Sequence, residues 1–448
     1  MYLSFLIILN KTITKFLKLL GRNASVYPGS IIYDHFDQKI LTKIKYPKYV
    51  IAVSGSSGKG SATDLIAKIL TANGQKVIYN QSGSNGVLGA TTLILNNCDI
   101  HGNFKGDVLL FETDERHLKL IFTKNYPTHL ILTNITRDQP VRNGHPKIVF
   151  DDMISNLNPL THLIINADDP ILNKLKMIHQ GPITTFGVEN TINSYHEPKL
   201  NAVDFAYCPI CGTKLKYVFY HYGHLGKYHC PECDFKRGKL DYQVTDVDLP
   251  KKTIKINNQE IKINKDVLYA VYSTTAAYAL TREINIPQAE IVKTINSNQQ
   301  NVKRGQVQKL VNRDFIMLES KNENNLSYYQ SLRYICDHPG HKSIIMGFEN
   351  VSRRYKFNDL SWLYDVEFEL LNNDLVDKIF CIGRFKYDVA NRLAFANIDP
   401  KKIILIDEIS NLLPQVKDKS KGTIFSIVCF DMTANIKQLL KEENHENN

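Results

Sequence analysis

Residues 49–72 read YVIAVSGSSGKGSATDLIAKILTA, and no other stretch limits the possible folds of this chain so strongly. An apolar, β-branched run of strand length is followed by a Gly/Ser turn and then by apolar residues at helical spacing. Gly55 and Gly58 let the backbone curl so that its N–H groups point at an anion. Lys59 adds a positive charge, and the helix start adds its dipole. The common phosphate loop has glycine where Val53 stands, so the shorter G-x-x-G-K form is what remains. A glycine-rich turn without a ligand is the alternative. Placement between a buried strand and a helix favours nucleotide phosphate, bound by Gly55, Ser56, Ser57, Gly58, Lys59, Gly60 and Ser61, with a first-turn hydroxyl on Mg²⁺.

Further apolar runs at Val108–Phe111, His129–Leu132 and Leu163–Ile165 are separated by helix-length segments. Strands alternating with helices imply a doubly wound, mostly parallel α/β sheet. Residues 201–240 interrupt the rhythm with Cys, Tyr, His and Gly, as a small inserted module. A β-like run, Tyr242–Ile263, leads to a helix near Val267–Arg282. Beyond Arg304 the alternation resumes at Phe315–Leu318, Ser343–Met346, Lys378–Ile382 and Lys402–Ile406. The expected organisation is an N-terminal helix and polar approach (1–45), an ATP-binding domain (46–304) carrying the 201–240 insert, a second α/β domain (305–440) and a disordered tail (441–448).

The insert contains CPIC and CPEC, placing Cys208, Cys211, Cys230 and Cys233 in two tight knuckles with eighteen residues between them. Four thiolates suit a tetrahedral, closed, structural Zn²⁺ site; two disulfides are the alternative. No Arg/Lys stripe accompanies the knuckles, which speaks against nucleic acid. The other cysteines (Cys98, Cys336, Cys381, Cys429) lie in apolar contexts without a nucleophile signature.

These segments, with several more in fixed order, resemble the MurT family of the Mur ligase superfamily. The superfamily's G-T-N-G-K-T-T loop stands here as GSSGKGS. Gly60 replaces the usual hydroxyl, so the resemblance passes the Mg²⁺ ligand to Ser61. LLFETDE offers Glu112, the counterpart of a magnesium-holding glutamate, while Asp114 and Glu115 read as a solvated acidic turn. LTNITRDQPVRNG retains Asn134, Arg137, Asp138 and Gln139 of a family segment. IINADDP (Asn166, Asp168, Asp169) and TFG at 185–187 also match. LYAVYSTTAAYAL resembles the L-Y-N-x-Y-N helix, with Ala270 and Ser273 in place of both asparagines. VKRGQVQ keeps Arg304 and has Gln306 instead of an acid. Within the superfamily a four-cysteine ribbon marks MurT. NDLSWLYD and GRFKYDVANRL are similar to the family's C-terminal signatures, retaining Trp362, Asp388 and Arg392, whereas the 348–358 stretch departs from them.

The resemblance implies an ATP-dependent carbon–nitrogen ligase that amidates the α-carboxylate of D-glutamate in the lipid II stem peptide through an acyl phosphate. It assigns Lys59, Glu112 and Asp359 as catalytic, with Asp359 facing a GatD-like glutaminase partner that supplies ammonia. Asn134 and Arg304 join the ATP site, and Ser61 and Glu112 the magnesium site. ATP, Mg²⁺ and Zn²⁺ are the implied cofactors. Without the family, Asp359 and Asp365 read as helix-cap or turn acids. Another folylpolyglutamate-type amide ligase and a catalytically degenerate regulatory relative are the competing functions.

A formal charge of +10 favours anionic partners such as nucleotide phosphates, phospholipid headgroups, a diphosphate-linked substrate or nucleic acid, and charge alone does not choose among them. No secretory leader is evident, and a reducing cytoplasm fits the cysteine usage. The opening run ends at Asn10 and Lys11, too short to span a bilayer. Leu6, Leu9, Ile13, Phe16, Leu17 and Leu20 recur at helical spacing. They suit either a helix packed on its own domain or a basic helix resting on a membrane surface.

Overall fold

The computed structural model describes residues 1–80, 84–155, 157–199, 203–297, 306–319, 323–351, 358–428 and 430–446. The chain forms two units. The first takes Met1–Thr136, His145–Lys199 and the described part of 203–301; the second takes Arg137–Gly144 and the described residues beyond 302.

The first unit is built on one sheet in the order β11-β10-β9-β6-β5-β4-β1-β3-β2. Its strands are β1 (Tyr49–Ser54), β2 (Val77–Tyr79), β3 (Val108–Glu112), β4 (His129–Leu132), β5 (His162–Asn166), β6 (Ile183–Val188), β9 (Tyr242–Asp248), β10 (Thr253–Ile256) and β11 (Gln259–Lys262). Pairings from β2 across to β9 are parallel, and the β9–β10 and β10–β11 pairs are antiparallel. The core of β1, Ile51, Ala52 and Val53, is fully buried, as continuous apolar parallel strands require. Because the chain returns from β3 to β4 on the other side of β1, the end of β1 is a topological switch point, where open α/β sheets bind ligands. A separate hairpin, β7 (Lys216–Tyr222) with β8 (Leu225–His229), belongs to the cysteine insert.

The second unit has a sheet in the order β12-β13-β17-β14-β15-β16. Its strands are β12 (Gln306–Leu310), β13 (Arg313–Glu319), β14 (Lys342–Gly347), β15 (Val376–Ile382), β16 (Ile403–Leu405) and β17 (Thr423–Val428). All its pairings are parallel except β12–β13. Trp362 packs in this core against Tyr328 and Phe348, with ring centroids 5.1 and 5.6 Å apart.

Several expectations change. The opening helix, Tyr2–Leu19, buries Leu6, Ile7, Asn10 and Thr14, leaving Phe16 and Leu20 exposed. Polar pairing selects that face. Asn10 Nδ2 donates to Asn96 Oδ1 (3.0 Å), and Asn96 Nδ2 donates to Thr14 Oγ1 (3.1 Å). The supposed polar approach contains a helix, Tyr27–His35, with Pro28 in its first turn, where a missing N–H costs nothing. Its Ile32, with Ile40 and Leu41 beyond it, is buried. Residues Arg137–Gly144, expected in the ATP-binding domain, pack within the second unit. The tail is helical through Glu446 rather than disordered after 440, held by a Lys417–Glu443 ion pair (2.6 Å).

Candidate active site

Register brings the ends of β3, β1 and β4 level, with Val53 opposite Glu112 and Ser54 opposite Leu132. The loop after β1 therefore lies between the residue ending β3 and the residues following β4. Gly55 (φ +129°) and Gly58 (φ +83°) occupy conformations that disfavour side chains. Space is also missing: a Cβ at Gly55 would lie 2.3 Å from Thr133 Oγ1. Asn134 clasps the loop, its Oδ1 accepting from Ser57 N and Ser57 Oγ at 3.1 Å each. Thr133 Oγ1 donates to Ser57 O (2.7 Å). Lys59 begins the helix Lys59–Ala72; its ammonium reaches Gly55 O and Glu115 Oε1, the latter at 2.7 Å.

Glu112 ends β3 with its main chain pinned by Asn80 at 2.8 and 2.9 Å. Burial raises its carboxyl pKa, against lowering by Lys59 and a hydrogen bond from Asn85. The helix position facing it is 60, where a Cβ would stand 3.2 Å from Glu112 Oε2. Glycine there leaves room for an ion or a phosphate oxygen beside the carboxylate. That space and the carboxylate fit a hard divalent cation.

The acidic turn is not solvated as expected. Asp114 and Glu115 are buried, and Glu115 is the partner of Lys59. Sequence reading missed this pair. Its one signal was an acid three residues beyond a strand's C-terminal end.

A pocket opens beside the loop. Ser57 and Gly58 form one side, Tyr269, Tyr272 and Ser273 of the helix Leu268–Glu283 another, and Tyr222 and Leu225 of the cysteine insert a third. Ser273 Oγ contacts Gly58 O at 3.3 Å, so the residue replacing the family asparagine still touches the loop.

The cysteine sulfurs all lie within 4.8 Å of one another. Cys208–Cys233 (3.7 Å) and Cys211–Cys230 (3.4 Å) are near the roughly 3.8 Å edge of a tetrahedron with Zn–S of about 2.3 Å. All four are free thiols rather than disulfides. Gly212 (φ +78°) donates to Cys208 O (3.0 Å), closing the first knuckle. Donor set and spacing fit zinc.

Asp359 lies in the second unit, where its Oδ1 accepts from Ser361 N (2.8 Å), two residues on, at the start of the turn Ser361–Asp365. In the same unit Asp365 pairs with Arg137 (2.6 Å), Asn324 donates to Asp138 (3.0 Å), and Gln139 N donates to Glu323 O (2.9 Å). Arg392 is buried, donating to Leu363 O and Val366 O and pairing with Glu369 (2.9 Å), so it holds the tryptophan turn. Arg304, Cys429 and residues 352–357 lie outside the described residues.

Residues 322–432 match the family described as MurT ligase C-terminal. The lipid II isoglutaminyl synthase (glutamine-hydrolyzing) subunit MurT of Staphylococcus aureus is 27% identical over 401 residues, 88% of each chain. A pseudomurein peptide ligase type C from Methanothermus fervidus superposes with a TM-score of 0.65 at 18% identity, over 91% of this chain and 81% of its own. MurF from Acinetobacter baumannii does so at 0.59 and 16%, over 88% and 76%. The chain thus carries a MurT-type C-terminal domain on a Mur-ligase-type fold and resembles MurT over most of its length.

Proposed function

We propose that the chain is the ATP-using subunit of a lipid II amidating ligase, converting the α-carboxylate of D-glutamate in the stem peptide to the amide of D-isoglutamine. The observation that carries this reading is the convergence of the Gly55–Lys59 loop, Glu112 and Asn134 at the ends of three adjacent strands, in a chain similar to a MurT subunit over 88% of its length.

In this reading the amides of 55–61 and Lys59 hold the triphosphate of ATP, with Asn134 bracing the loop and Arg304 contributing. Ser61 and Glu112 would hold magnesium, which neutralises charge on the transferred phosphoryl group. The substrate carboxylate oxygen forms a bond to the γ-phosphorus as the bond to ADP breaks. The nitrogen lone pair of ammonia then attacks the acyl carbon, phosphate leaves, and a proton is lost. Ammonia is mostly protonated at neutral pH, so delivery from a GatD-like glutaminase, with Asp359 facing it, would preserve the nucleophile. The four cysteines would hold a structural zinc with no open coordination position.

No described helix is long and apolar enough to cross a membrane. The opening helix nevertheless exposes Phe5, Ile8, Phe16 and Leu19, flanked by Lys15 and Lys18, and no acid precedes Asp34. That favours peripheral contact with an anionic bilayer, where a lipid-linked substrate resides.

Incubation with lipid II, glutamine, ATP–Mg²⁺ and the glutaminase partner tests the function. Mass spectrometry should show one carboxylate of each stem peptide replaced by an amide at the α-position. No amide, or an added amino acid instead, would overturn the reading.

A further inference from the structure

The cysteine insert reaches the phosphate loop by two routes. The four sulfurs gather at one end of the β7–β8 hairpin, and the other end, Tyr222 to Leu225, borders the pocket. His224 in this tip is fully buried, its Nε2 3.3 Å from Asp169 Oδ2. Burial alone would lower its pKa, but the charge of Asp169 and a hydrogen bond to it outweigh that and raise it. The same Asp169 oxygen accepts from Ile135 N (2.8 Å), and the preceding residue is Asn134, which clasps Ser57.

The second route starts just past the last knuckle. Arg237 Nε lies 2.7 Å from Asp168 Oδ1, both side chains fully buried. Asp168 Oδ2 accepts from Tyr272 Oη (2.7 Å), and the next residue, Ser273, touches Gly58 O. Tyr217 Oη donates to His224 O (2.8 Å) and Gly226 N to Asp168 O (3.1 Å), so the tip is fixed from both sides. A structural metal site remote from catalysis does not require a hairpin tip in the pocket wall. This insert supplies one, together with the Arg237 and His224 side chains that position its neighbours.

We propose that Tyr222 is a nucleotide-binding residue whose ring packs against the nucleoside part of bound ATP, and that metal in the four-cysteine site sets ATP affinity by holding the hairpin in place. This rests on the ATP reading above. An aromatic wall suits a nucleoside, since every base presents a face for stacking. Arg237 and His224 are positioning residues, acting through Asp168 and Asp169.

The test is titration of the zinc-loaded full chain with ATP–Mg²⁺ by calorimetry, with zinc content measured alongside. Tyr222→Ala should weaken binding about tenfold at unchanged zinc content, while Tyr222→Phe keeps it. Val218→Ala, at a half-exposed position of the same hairpin, should bind as the parent does. Chelating the metal should weaken ATP binding, and returned Zn²⁺ should restore it. Wild-type affinity in Tyr222→Ala, with binding lost in Lys59→Ala, overturns the proposal and leaves the ATP site intact. Equal affinity before and after metal removal overturns the coupling. No binding by the parent protein overturns both readings.

Discussion

Replacing Arg237 by methionine removes the cation that meets Asp168 inside the first unit. Asp168 is fully buried, and Arg237 approaches it at 2.7 Å while also bonding Val188 O (3.1 Å) and Glu189 Oε1 (3.2 Å). Breaking a buried ion pair from one side costs about 3–5 kcal/mol, because the remaining charge is left without its counter-ion. Here Asp168 would keep two donors, Tyr272 Oη and Val188 N at 2.7 and 2.8 Å, which places the loss near the lower figure, about 3 kcal/mol. In urea, with a slope of about 3 kcal/mol per molar for a unit this large, the midpoint of the first unit's transition should fall by about 1 M. Pairing the change with Asp168→Asn removes the stranded charge but retains an acceptor for both donors. The double variant should therefore recover most of the loss, giving a favourable coupling of about 2 kcal/mol or more in the mutant cycle. A single-variant loss below about 1 kcal/mol, or a double variant no better than the single, would refute the claim that this pair anchors the insert.

Lys59→Ala, assayed where the variant is folded because it strands the buried Glu115 carboxylate, should lower ligase turnover about 10²- to 10³-fold in a coupled assay of ADP release; an unchanged rate would favour a regulatory role. Glu112 must be ionised to hold magnesium, and burial raises its pKa, so magnesium-dependent ATP binding should weaken as pH falls through that raised value. Glu112→Gln should bind ATP–Mg²⁺ weakly at every pH and lose this dependence, as titrations at several pH values would show. His224 contributes in the opposite sense. Its pKa is raised by Asp169, so its stabilisation is complete below about 6.5 and declines as pH rises through the folded value; His224→Gln should flatten that limb of the urea midpoint against pH. Phe16→Ser with Leu19→Ser should reduce sedimentation with anionic vesicles several-fold and leave neutral vesicles unaffected, whereas unchanged binding would remove the helix from the membrane.

Elements with long local signatures were legible in the sequence, and those fixed by distant partners were not. β1, its loop and the following helix follow from glycines whose positive φ and lack of space both exclude side chains. The cysteine knuckles were equally clear, since two C-x-x-C turns admit few arrangements. The face of the opening helix was not, because burial there follows Asn10 and Thr14 pairing with Asn96, more than eighty residues away. Glu115 read as a surface acid until Lys59 supplied its counter-ion. β17 is central to the second sheet yet only six residues long, too short for periodicity to separate from other apolar runs. Gly187 in the TFG segment matched by pattern, and the structure supplies the reason: a Cβ there would lie 2.4 Å from the Asp168 carboxylate. Arg237 gave no signal, standing in a sequence that otherwise reads as loop.

In the proposed reaction the ends of β1, β3 and β4 hold ATP so that a carboxylate becomes an acyl phosphate. Lipid II carrying heavy oxygen in the α-carboxylate of its glutamate, turned over with ATP–Mg²⁺, glutamine and the partner, tests it directly. One labelled oxygen is expected in each inorganic phosphate released; unlabelled phosphate accompanying amide formation would contradict an acyl phosphate.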